Sequence, residues 1–134
     1  MRFALILLVV ACGGKPAPLP PQLPPSEALA RQLDDDLAKL AELAHRHATD
    51  CAALVIELRP HVDQMKVHAG EVEKIMADPV KGKQLKAALA GYADKALGRT
   101  DAIAKDLGTA YLACPDKDTK YGLEKSIADM PTFE

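Results

Sequence analysis

Leu29, Leu33, Leu37, Leu40 and Ala44 recur at spacings of three and four residues, which marks one face of an α-helix. Ser26 follows a proline-rich stretch and is the expected N-cap, so a first helix should run from there to about His47. A second stripe, Cys51, Leu54/Val55, Leu58, Val62, Met65, Ala69, Val72 and Met76, has the near-heptad period of a helix–helix seam. Thr49 or Asp50 should cap it, and Pro60 inside it predicts a kink. Asp78-Pro79 reads as a stop and a restart, with Asp capping and Pro at the first helical position. A third stripe joins Leu85, Leu89, Tyr92, Ala96, Ile103, Leu107, Ala110 and Cys114. Gly91, Gly98 and Gly108 weaken it, and Gly98-Arg99-Thr100-Asp101 is the expected break, with Thr100 re-capping. Pro115 ends it, and Tyr121, Leu123, Ile127 and Met130 predict a short amphipathic helix over about 119–130. Short connections make successive helices antiparallel neighbours. The expected fold is all-α: an antiparallel three-helix up-down-up bundle with a short fourth C-terminal helix.

Composition supports helices over a sheet. Hydrophobic residues are 49% of the 134, but aromatics are only 4% and Trp is absent, so the core must be built mainly from Ala and Leu. The length suits one domain. Seventeen Lys and Arg against 19 Asp and Glu leave a net charge of −2, which provides no basic footprint for nucleic acid. Asp34, Asp35 and Asp36 could attract a hard cation, but three consecutive helical positions fan over about 200° and do not converge. They read as a solvated face, with Asp35–Lys39 and Glu42–Arg46 as pairs one turn apart.

The first residues need a different explanation. Met1-Arg2 precedes the apolar run Phe3 to Ala11, and Cys12-Gly13-Gly14 follows. This is the layout of an export signal, and the run is far shorter than the roughly 20 residues of a spanning helix. Val9-Val10-Ala11-Cys12 resembles the lipobox of bacterial lipoproteins, although Val9 stands where Leu is usual. The resemblance implies cleavage after residue 11, acylation of Cys12 (palmitate among the acyl chains) and attachment to the membrane through that lipid. Gly13 occupies the position where an inner-membrane retention signal carries Asp, which implies the outer membrane. The domain plan is thus a signal peptide over 1–11, a lipidated Cys and tether over 12–25, and a helical domain over 26–134. Residues 13–25 include KPAPLPPQLPP, an extended polyproline-type tether reaching about 40 Å.

With Cys12 acylated, Cys51 and Cys114 are left as an even pair in an oxidising compartment. One opens the second helix and the other closes the third, so an antiparallel arrangement brings them to the same end and a structural disulfide is expected. Cys51 lies 27 residues before Asp78 and Cys114 lies 35 after Pro79. An unbroken third helix would therefore overshoot by about 12 Å, and a break near Gly98 would remove the excess.

His61, Met65 and His68 stand at i, i+4 and i+7 on one face of the second helix. Imidazole and thioether ligands suit copper, and Pro60 frees a backbone carbonyl nearby. The competing reading is structural: Met65 fills the seam, the two histidines flank it, and Glu57 pairs with His61. His45 and His47 should point to different sides of the first helix. No CxxCH, HExxH, nucleophile elbow or phosphate-cradling loop occurs, so no cofactor and no enzyme activity are expected. The layout as a whole resembles small helical lipoproteins of myxobacteria-like Gram-negative bacteria: lipobox, tether, a Thr49-Asp50-Cys51 helix start, and Cys114 before a short final helix. That group implies no particular activity. Helical periplasmic stress chaperones are a second comparison, but their LTxxQ signature is missing. The expected function is a lipid-anchored, non-catalytic binding or scaffold module of the envelope, with room for a protein partner. The alternative is a copper-binding lipoprotein using His61, Met65 and His68.

Overall fold

A computed structural model of the protein describes residues 23–132. The expected signal peptide, Cys12 and the expected tether as far as residue 22 lie outside the described residues. Those described form five helices and no strand: α1 (Pro25–Arg46), α2 (Cys51–Met76), α3 (Pro79–Ala90), α4 (Ala93–Leu112) and α5 (Lys117–Ala128). The described residues are all-helical, as the spacing predicts.

Local chemistry sets most of the boundaries. Asp50 caps α2 by accepting from the Ala53 N–H at 3.1 Å. Asp78 caps α3 by accepting from Val80 and Lys81, ahead of Pro79. Asp116 caps α5 by accepting from Thr119 at 2.7 Å, two residues earlier than the expected start. The start of α1 corrects the expectation for Ser26. Pro25, its φ already near the helical value, takes the first helical position and Ser26 falls inside the first turn, buried. Its hydroxyl lies 3.5 Å from the Lys81 carbonyl of α3.

The third stripe is two helices, and the break is not where the glycine-rich tetrapeptide predicts. The chain turns at Gly91-Tyr92, where the Tyr92 N–H donates to the Leu89 carbonyl at 2.9 Å. α4 then runs unbroken through Gly98, and Thr100 does not cap; its hydroxyl donates to the Ala96 carbonyl inside the helix at 2.8 Å. Gly98 is exposed with open space around it, so it weakens α4 only by its own propensity, while Arg99 and Ile103 anchor the flanking turns. Turning at Gly91 lets α3 pack separately against α1 and α2, which takes up the excess length.

Cys51 and Cys114 then meet as a disulfide, with Cα atoms 4.9 Å apart. The Asp34–Arg99 and His45–Asp106 pairs ascend together along α1 and α4, so these two helices run in the same direction. α5 lies on α2, close enough at Gly122 that a Cβ there would stand 3.1 Å from Val55 Cγ1. Two of its apolar positions differ from expectation. Tyr121 and Ile127 are exposed, while Leu123 and Ser126 are buried, because the close approach at Gly122 turns that face inward.

The core is divided. The larger cluster joins Leu40, Leu43 and Ala44 of α1 with Leu54, Leu58, Val62 and Met65 of α2, Ile103 and Leu107 of α4, and Leu123. The smaller joins Leu29, Ala30 and Leu33 to Leu85 of α3, with Val72, Ile75 and Tyr92 packed against it.

Two predictions follow from this frame. The disulfide closes 63 residues of chain, so replacing both cysteines by Ser should lower stability by about 4 kcal/mol, read by denaturant unfolding against the oxidised protein. The second concerns α5. The Arg59 guanidinium, donating at 2.7 Å, holds the Asp129 carboxyl below its usual range, and the Thr119 N–H does the same for Asp116. Both groups favour the fold when ionised. Their contribution is complete above the ordinary Asp value of about 3.9 and is lost as pH falls through the lower folded values. Amide exchange in α5 should accelerate first on acidification below about pH 4. Asp129→Asn should shrink the acid-dependent part of that change.

Candidate functional site

Two recesses flank a polar layer that lies between the two apolar clusters. The layer starts on α1, where the three consecutive aspartates face three directions. Asp34 turns to α4 and pairs with Arg99, whose Nη1 also donates to the Asp34 carbonyl at 3.0 Å. Asp35 faces solvent. Asp36 turns into the bundle and is only 6% exposed. The expectation of a solvated triple therefore holds for Asp35 alone. The 200° fan that prevents convergence is what delivers each carboxylate to a different neighbour.

Asp36 receives both histidines singled out on α2. His61, 5% exposed, donates from Nε2 to the Asp36 backbone carbonyl at 2.8 Å. His68 meets Asp36 Oδ2 through Nδ1 at 2.5 Å, both side chains being about nine-tenths buried. Met65, between them, is buried in the larger cluster. The trio proposed for copper thus lies on one face, as its spacing implies, but its two imidazoles are engaged by Asp36. Among the described residues, no group of three or more His, Cys, Asp or Glu side chains could hold a metal ion. Glu57 does not pair with His61 either. It accepts from His47 at 3.0 Å and lies 3.7 Å from Arg46. His45 reaches across to Asp106 of α4 at 3.2 Å, so His45 and His47 do face different partners. Arg46 pairs with Glu42 as the spacing predicts.

Asp34, Asp36 and Arg99 are the polar residues that the sequence reading misses. A signal was present. Leu29, Leu33, Asp36, Leu40 and Leu43 follow an alternating four-three step, as do Leu54, Leu58, His61, Met65, His68 and Val72. Asp36, His61 and His68 occupy seam positions, and a polar residue at a seam position faces its partner helix.

The first recess is an open groove of about 820 Å³ along α1 and α2, with Ala38, Leu43, Ile56 and Pro60 in its walls and charged groups such as Lys39, Glu42, Arg46 and Glu57 around them. The second, about 530 Å³ and less open, lies where α1 passes the α3–α4 turn. Its walls are Ala30, Leu33, Leu37, Leu89, Tyr92 and Ala96. Asp34 and Thr100 add polar atoms, and Pro131 and Thr132 of the C-terminal segment close one side. Small-molecule sites have this size, with a mostly apolar lining and a few placed polar groups. The groove is more open and rimmed by charge, so the pocket is the candidate site.

Asp36→Ala would leave the buried His68 imidazole without its partner, while His61 keeps the backbone carbonyl of residue 36, and should cost about 3 kcal/mol by denaturant unfolding. A cycle with His68→Ala should show strong coupling, because the two residues meet directly. No protein-family model matches the chain, and neither a curated protein nor a solved structure matches it significantly.

Proposed function

We propose that this chain is a lipid-anchored protein of the bacterial envelope that binds a small apolar ligand and catalyses no reaction. The apolar pocket between α1 and the α3–α4 turn carries this reading. The pocket sits on a frame held by a disulfide and a buried polar layer, which is how binding sites are kept in shape before the ligand arrives. The frame is read as an up-down-up arrangement of α1, α2 and the α3–α4 pair, with α5 as the short final helix. The parallel course of α1 and α4 supports it. Engagement of His61 and His68 by Asp36 favours ligand binding over copper as the role of the domain.

The anchor rests on Val9-Val10-Ala11-Cys12 and the proline-rich tether. Among the described residues no helix is long and apolar enough to cross a membrane, so the acyl group at Cys12 is the proposed attachment, with Gly13 directing it to the outer membrane.

Two measurements test the two halves. Metabolic labelling with an alkyne-tagged palmitate should mark the wild type and not Cys12→Ser, which should leave the membrane fraction; equal labelling of both would remove the anchor. N-phenyl-1-naphthylamine should brighten on binding the purified domain, and Ala96→Phe, which fills the pocket, should weaken it at least tenfold. Undiminished binding to Ala96→Phe, or no binding to the wild type, would overturn the pocket as a ligand site.

A further inference from the structure

The polar atoms of this pocket restrict what can enter it. Asp34 gives one carboxylate oxygen to Arg99 and keeps the other as an acceptor. Thr100 gives its proton to the Ala96 carbonyl and keeps only its lone pairs. Both groups therefore accept. Arg99 balances the Asp34 charge, so the carboxylate does not call for a cation. At Asp34 and Thr100 a carboxylate head would meet only acceptors. An ammonium head would bring a second positive charge to a carboxylate that Arg99 already neutralises.

The remaining walls are aliphatic apart from Tyr92 and Thr132. On α1 they run from Ala30 to Leu37, about two helical turns or 10 Å, close to the length of an extended chain of about eight carbons.

Resting on the binding reading above, we infer that the ligand is an uncharged aliphatic molecule of medium length whose polar end donates a hydrogen bond, an alcohol being the simplest case. The donor meets Asp34 and Thr100, and the chain lies along Leu33, Leu37, Leu89 and Ala96. A hydroxyl supplies the proton that both acceptors lack, without bringing a second charge to the Asp34–Arg99 pair.

Displacement of N-phenyl-1-naphthylamine from the full domain by 1-octanol, octanoate and octylammonium tests this directly. Octanol should displace the dye at least tenfold more effectively than either charged analogue at neutral pH. Thr100→Val, on the exposed face of α4, should weaken octanol several-fold more than it weakens the dye, with helicity unchanged. Equal or better displacement by octanoate or octylammonium would overturn the inference while leaving the binding reading in place. So would an unchanged octanol affinity in Thr100→Val. Failure of the dye itself to bind removes the binding reading and the inference together.

Discussion

Asp36 is a carboxylate in the middle of a leucine seam, and its neighbours are arranged around the need to satisfy it. An unpaired buried charge costs several kcal/mol, so the helix opposite must present donors at that level. α2 presents two, seven residues apart, one for the backbone carbonyl and one for the side chain. A slip of α2 by one turn would place apolar side chains against the carboxylate and leave both imidazoles without an acceptor. The contact therefore sets register more than it adds stability, as a single polar residue does in a coiled-coil seam. Asp34 and Arg99 impose the same condition on α4 at the same level, so one polar layer aligns three helices.

The layer also explains why the core falls into two clusters. Leu33 and Leu40 of α1 lie on either side of Asp36 and belong to different clusters. The larger one carries the disulfide and α5. The smaller one is built around α3, a short helix that exists because the chain turns at Gly91. The turn reconciles two lengths: α3 and α4 together exceed what is needed to return from Pro79 to Cys51, and the disulfide requires that return. Leu89, Tyr92 and Ala96 flank the turn, and the candidate pocket forms where they face α1. The site is thus a product of the length mismatch, bounded by Asp34 of the polar layer.

The helices themselves were legible because their causes are local. Asp50, Asp78 and Asp116 cap with their own side chains, and Pro25 and Pro79 are pre-set for a first turn. The periodicity of leucines then identifies the buried face within one position. For α1 that one position mattered. A stripe read through Leu37 leaves Asp36 on the solvent side, whereas the four-three step through Asp36 places it inside. Gly98 misled for a related reason. Glycine lowers helix propensity wherever it stands, but packing on either side decides whether the helix continues.

By itself, then, the chain determined that it would be helical, where most helices begin, which faces are apolar, and that Cys51 and Cys114 fall at ends able to meet. Those properties depend on dihedral preference, capping and period, all set within a few residues. Tertiary structure decided which of three adjacent aspartates is buried, what His61 and His68 bond to, where the third stripe bends, and that a pocket opens beside the bend. Each of these depends on distances between helices remote in sequence, and interhelical distance is settled only when all the side chains at a crossing pack at once.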